Sequence, residues 1–430
     1  MNLKIRVVSA LLTAALLLLL AGCGGGYTCK VTFGSSTCNS SGSGISTGGG
    51  TGGGGGGGGG SATAFAYVID QNGTLDGYEL NTTAATFAAI SGYTAPVIPT
   101  TDPGAGVVVA QQQFLYAVFP VAEQIFGWSI DASTGALTAV SGSPYSASFL
   151  GFVGISGFNQ LSVITNPTGT LLFIADPGNG EIWDYQIGSA GALTLVAGSP
   201  FAAAPSSPPW NMTTDGLGKY LYTTDVDGTH EGLSIAAYTI GSSGTLTPVT
   251  GSPFPFPMWA VQGEPSGNYL IGTSGQTIAA GAGTDDKNLY VFNIQQSGAT
   301  AGAISTAANS PFATINAPFN LAVQPNSANG EFVYSFSVND TGLTYNQVEG
   351  YGINTTTGAL TAISGSPFSG VTPSLWGQFD QSGGYLFLYG DASGNVQLAV
   401  TTVAPSTGVL TETLSPTTLP TTGYWAVTDP

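Results

Sequence analysis

Apolar and polar positions alternate along most of this chain in runs of five to seven residues, each closed by Gly, Pro, Asn or Asp. Residues 161–165, 171–175 and 182–187 are such runs, separated by Asn166-Pro167-Thr168-Gly169 and by Asp176-Pro177-Gly178-Asn179-Gly180. A period of two, enriched in Val, Ile, Tyr, Phe and Thr and bounded by turn formers, predicts short strands joined by tight turns. The fourth run of each set is a recurring phrase, Gly-Ala-Leu-Thr followed by Gly-Ser-Pro-Phe or a close variant. It begins at Gly135, Gly191, Gly244, Gly302 and Gly358, and a spacing of about 55 residues predicts a copied supersecondary unit. Each copy reads as an antiparallel meander of four strands, here a, b, c and d.

Strand b counts the copies. It appears as Phe65-Ala66-Tyr67, Phe114-Leu115-Tyr116, Leu171-Leu172-Phe173, Tyr220-Leu221-Tyr222, Tyr269-Leu270-Ile271, Phe332-Val333-Tyr334 and Tyr385-Leu386-Phe387. Seven four-stranded units predict an all-β, seven-bladed β-propeller. The first unit starts at strand b near Ala64, whereas the chain ends on 424–430, which reads as a strand a with nothing after it. The C-terminal strand is therefore expected to join the N-terminal blade, closing the ring and removing open sheet edges. Most repeated residues are expected to build blades: Gly permits turn dihedrals, Pro ends strand d, and the following aromatic packs between blades.

On these motifs the chain resembles the lactonase-type seven-bladed propellers, the family of 6-phosphogluconolactonase-like and YVTN-repeat proteins, over about 370 residues. The resemblance implies a fold and raises the question of a lactone hydrolase. It does not carry an activity over residue by residue. A phosphorylated lactone needs cationic partners, and the family's lactonases are thought to use Arg and His near the central mouth, whereas residues 62–430 hold no Arg and one His.

The first sixty residues read as an address and a tether. Lys4 and Arg6 precede an apolar run over 7–20, too short to span a bilayer comfortably, which predicts a signal peptide over 1–22. Leu20-Ala21-Gly22-Cys23 resembles a bacterial lipobox, implying lipid attachment at Cys23. Gly24, in place of the Asp of an inner-membrane retention signal, implies the outer membrane if the source is Gram-negative. With Cys23 acylated, Cys29 and Cys38 remain as a candidate disulfide outside the cytoplasm. Residues 23–61 serve as the tether; between Asn39 and Ser61 they are almost wholly Gly, Ser and Thr with nine consecutive glycines at 52–60, a flexible coil about 25 Å from end to end.

Charge narrows the chemistry. The chain carries 23 acidic and 5 basic residues; removing Lys4 and Arg6 leaves Lys30, Lys219 and Lys287, a net charge of about −20. Nucleic acid and anionic lipid need clustered Lys or Arg, so the membrane is expected to be met through the anchor alone. Eleven acids, from Asp70 and Glu123 to Asp340 and Asp391, fall in or beside connections between strands b and c, predicting one acidic face of the disc.

Candidate sites are few. Asp225-Val226-Asp227-Gly228 with Glu231 has the oxygen density of a calcium loop without its full pattern, so Asp225, Asp227 and Glu231 are weak metal candidates; no other cofactor is implied. His230, the sole histidine, is the one candidate for imidazole acid or base chemistry. Trp376 and Trp425 are read as equivalent positions in the innermost strands of neighbouring blades, where other blades carry Ser162, Asn211, Ala260 and Asn320. With Asp70 and Asp391 they form a candidate stacking site for a neutral carbohydrate or lactone, and the acidic face a candidate for a basic protein ligand. Trp210 and Trp259, one position earlier, are expected in the core. The expectation is a monomeric, lipid-anchored, extracytoplasmic binding or scaffolding module rather than an enzyme, with hydrolysis of a neutral lactone or sugar as the alternative.

Overall fold

A computed structural model describes residues 63–428 except 71–72, 83, 99–105, 149–160, 204–207, 227–231, 275–285, 326–330, 339–346, 369–375, 393–394 and 419–422. These residues form seven antiparallel sheets and no helix. In six blades strands a to d follow in chain order, as in blade 4, where Pro209–Thr214, Tyr220–Val226, Gly232–Ile240 and Leu246–Pro248 pair successively. Every strand b falls on its predicted segment. Its third residue, Tyr67, Tyr116, Phe173, Tyr222, Ile271, Tyr334 or Phe387, is fully buried, because the pleat turns alternate side chains into the contact between sheets.

The seventh closure is also as predicted. Gly423–Val427 pairs antiparallel with Thr63–Asp70, placing Val427 opposite Ala66 and Gly423 opposite Asp70. Thr428 extends the clasp: Phe65 N–H donates to its Oγ1 at 2.9 Å, and its own N–H donates to Phe65 O at 2.9 Å.

The Gly-Ser-Pro phrase behaves differently from the expectation that Pro merely ends strand d. Strand d is only three residues long in blade 2, Leu137–Ala139, and after a turn the chain returns as Tyr145–Ser146 to pair with the same strand c. Blades 3 and 5 repeat this with Phe201–Ala202 and Phe312–Ala313, and in blades 4 and 6 Phe254 and Phe368 make single bridges. The serine explains how the break is tolerated. Strand c loses one ladder acceptor at the bend, and the serine hydroxyl replaces it: Gly127, Asp184, Ala237, Val291 and Gly350 N–H groups donate to Ser143, Ser199, Ser252, Ser310 and Ser366 Oγ at 2.8–3.0 Å. A buried N–H is thus kept paired where the backbone cannot serve it.

The glycine that opens the phrase joins blades. Gly135 has φ +67°, and a Cβ there would lie 2.5 Å from the Phe65 ring of the preceding blade. Tyr67, two residues along that strand, donates its hydroxyl to Gly135 O at 2.7 Å. Tyr116 does the same to Gly191 O, Tyr222 to Gly302 O and Tyr334 to Gly408 O. The hydroxyl latch and the bare glycine let each blade's b-strand aromatics seat under the next blade's turn.

Candidate functional site

The innermost strands begin on the face that carries the b-to-c connections. As sheet edges they leave N–H groups unpaired, and side chains of the preceding blade meet several of them. Met212 N–H donates to Ser162 Oγ at 3.1 Å, Val261 to Asn211 Oδ1 at 2.9 Å, Gly263 to Thr213 Oγ1 at 3.2 Å and Val323 to Gln262 Oε1 at 2.8 Å. The small and polar residues of strand a are therefore engaged in joining blades.

Register corrects the proposed equivalence of Trp376 and Trp425. Trp376 lies opposite Tyr389, two residues after Phe387 of its strand b, whereas Trp425 lies opposite Val68, one residue after the equivalent Tyr67. A one-residue offset changes the strand position altogether. The equivalent of Trp376 is Tyr424, opposite Ile69. The other five blades carry there Gly106, Ser162, Asn211, Ala260 and Asn320, located by pairing or hydrogen bonds to the matching b-strand residues. Trp425 shares its position with Val107, Val163, Met212, Val261 and Leu321, all buried. The sequence reading missed Tyr424, although its place beside Trp425 was the signal.

Asp70 closes strand b of blade 1 and Asp391 lies near the end of Tyr385–Ala392 in blade 7, so the backbone brings both to the face where Trp376 and Tyr424 stand. Trp210 and Trp259 are core as expected, with ring centroids 5.9 Å apart and Trp259 at 5.6 Å from Phe319.

The acidic connections are not uniformly solvated. Asp176 is fully buried and accepts from Asn179 N–H and Nδ2. Asp225 is fully buried too, accepting from Thr223 Oγ1 at 2.9 Å and Ser234 Oγ at 2.6 Å, so this metal candidate is tied into its own blade. Asp227, His230 and Glu231 lie outside the described residues, as do Cys23, Cys29 and Cys38. Among the described residues no three His, Cys, Asp or Glu side chains gather as a metal cluster. Other buried carboxylates cap turns: Asp215 accepts from Lys219 and Tyr220 N–H, and Glu264 from Ser266, Asn268 and Tyr269 N–H.

Burial raises several carboxyls, Glu181, Asp215 and Asp380 among them, and two more stand out by where they sit. Asp184 faces Phe173 in strand c of blade 3, where the tyrosine latches of other blades face Gly77, Gly127, Ala237 or Gly350. A carboxyl thus replaces the missing phenol beside Gly244, neither oxygen has a hydrogen-bond partner, and burial pushes it up to about 9. Glu331 is pushed up to about 7, first by burial and then by Glu264, with which it shares a hydrogen bond. Both groups bind protons more tightly folded than unfolded. Stability should therefore fall as pH rises from the ordinary carboxylate range through about 7 for Glu331 and about 9 for Asp184. Thermal melts from pH 5 to 9 should show Tm decreasing, with Asp184→Asn flattening the whole window and Glu331→Gln only its part below about pH 7. A Tm that stays level or rises with pH would contradict both assignments.

No family model matches the chain, and no curated protein sequence matches it. Solved structures share its architecture. The periplasmic gluconolactonase of Pseudomonas aeruginosa is 14% identical, with 85% of this chain and 99% of that chain aligned at a TM-score of 0.59. A provisionally named 6-phosphogluconolactonase from Bacteroides uniformis ATCC 8492 gives the same identity, coverage and TM-score. A Lactobacillus plantarum protein is 15% identical over 86% of this chain and 99% of that chain, with a TM-score of 0.54. At such identity the likeness is one of fold: the chain has the seven-bladed propeller architecture that its repeats predict, and these structures share it.

Proposed function

We propose that this protein is a lipid-anchored extracytoplasmic binding module whose ligand site is the mouth of the propeller between blades 7 and 1. The observation that carries the reading is the register of the innermost strands, with Trp376 and Tyr424 at a position where five other blades carry Gly, Ser, Ala or Asn. Aromatic residues at one strand position of blades 7 and 1, with Asp70 and Asp391 on the same face, suit a neutral carbohydrate or lactone, which stacks on rings and is held by carboxylate acceptors. Fold alone does not bring the neighbours' activity with it. A phosphorylated lactone would meet Lys219 and Lys287 as the sole cations of residues 62–430.

A carbohydrate and lactone panel tests the site. Binding of a neutral member should weaken about tenfold in Trp376→Ala and Tyr424→Ala, with no turnover and no appreciable hydrolysis of 6-phosphogluconolactone. Efficient hydrolysis of the phosphorylated substrate would overturn the reading; hydrolysis of a neutral lactone lost in His230→Ala would replace it with the hydrolase alternative. The anchor has its own test. Cys23→Ser should abolish acylation and release the protein from membranes, read by fractionation and by the mass of the N-terminal peptide.

A further inference from the structure

A cavity of about 350 Å³ opens at blade 5, bordered by the connection into strand a (Phe256, Met258), the end of strand b (Ser274) and strand c (Tyr290, Phe292), with Asp286 beside it. Its walls are aromatic. Phe256 and Phe292 stand with centroids 4.7 Å apart and planes tilted by 44°, and Tyr290 stacks beside Phe292 at 6.5 Å. The same strand-c pair recurs as Phe126 with Trp128 and as Trp183 with Tyr185, where all four rings are buried. In blade 5 Tyr290 is only partly buried. In blade 5 the rings border open volume, so packing between blades does not account for the whole arrangement.

Two polar groups give the cavity its character. Asp286 accepts from Asn288 Nδ2 through Oδ1 and from the Tyr290 hydroxyl through Oδ2 at 2.7 Å. Both donors are neutral, so the pair orients the carboxylate without neutralising it. Burial, and then the carboxylate it donates to, push the Tyr290 hydroxyl up to about 12, which keeps the phenol protonated as a donor to Asp286. Ser274 is 7% exposed, and its Oγ is buried without a hydrogen-bond partner. A hydroxyl left unmet at the wall of a void is a group awaiting a ligand or water.

We propose that this cavity binds a small organic ammonium ion of the choline type. Ring faces attract a cation, a fixed carboxylate supplies the countercharge, and one free hydroxyl accepts or donates a single hydrogen bond. Asp286 repels an anion. The chain's net charge of −18 adds a favourable field for a cation at any distance within the screening length. This site shares no residue with the mouth between blades 7 and 1 and stands or falls independently of it.

The test titrates full-length protein by calorimetry with choline and with 3,3-dimethyl-1-butanol, which has the same shape without the charge. Choline should bind saturably and the alcohol at least about tenfold more weakly. Asp286→Asn and Phe256→Ala should each weaken choline at least about tenfold while melting near the wild-type temperature, and Ser274→Ala should weaken it less, about two- to fivefold. Trp376→Ala should leave choline binding unchanged. Absence of saturable choline binding, equal binding of the alcohol, or an Asp286→Asn protein that melts and binds as wild type would each overturn the assignment. If a variant fails to fold, the comparison of choline with its uncharged analogue on the wild-type protein still decides.

Discussion

Protein lacking residues 423–430 is expected not to reach a stable folded state. The deletion removes five register pairs with Ala66–Asp70, the buried Ala426 and Val427, and both hydrogen bonds between Phe65 and Thr428. Burying a side chain of valine size contributes about 1.5–3 kcal/mol and each ladder hydrogen bond about 0.5–1.5 kcal/mol. Their sum is comparable to a whole net stability of about 5–15 kcal/mol. The strand b left behind would also present an edge inside the ring, an invitation to aggregate. Circular dichroism melts and size-exclusion profiles read the outcome; a monomeric truncated protein melting at the wild-type temperature would show that the clasp does not hold the ring.

Gly135→Val should be strongly damaging at a blade junction. The residue has φ +67°, which costs about 1–2 kcal/mol for an L side chain, and its new Cβ would meet the Phe65 ring at 2.5 Å and Ile90 at 2.7 Å. Neither neighbour can withdraw easily, since both are buried. Overpacking adds about 1–3 kcal/mol more, and displacing the turn breaks the Tyr67 latch. A total loss of about 3–5 kcal/mol is expected from urea unfolding. Gly92→Ala gives the control: its φ is +71°, but nothing lies within 4 Å of the added carbon, so only the backbone cost should appear.

Much of this molecule was legible before any coordinates. Strand b, with its buried third residue, follows from a period of two between turn formers, and seven copies of it dictate the number of blades. The mismatched ends dictated the closure, because the first blade lacks its strand a and the final strand has no blade of its own. What the repeats did not give was register. Trp376 and Trp425 look equivalent when the final strand is aligned by its aromatic residue, yet the ladder places Trp425 one step on and makes Tyr424 the counterpart. Nor does local pattern reveal that Asp225 and Asp176 lie buried: turn chemistry favours Asp on a solvated hairpin and on a buried one alike. The signal for Asp184 was present, a carboxylate in a column of glycines and small apolar residues, but its meaning depends on Phe173 opposite it and Gly244 in the next blade.

The sequence by itself determined the fold, since copied hydrophobic alternation and turn residues act through contacts within one unit, and a unit that cannot bury its faces alone must stack on the next. Tertiary structure decided everything that depends on which residue meets which across strands and blades: the serine that mends the broken strand d, the tyrosine latches on glycine carbonyls, the offset of the final strand, and the aromatic cavity beside Asp286. Those contacts join residues 15 to more than 360 positions apart. Periodicity carries no information about them, because it is the packing of one sheet on another, rather than the pattern within either, that sets which side chains meet.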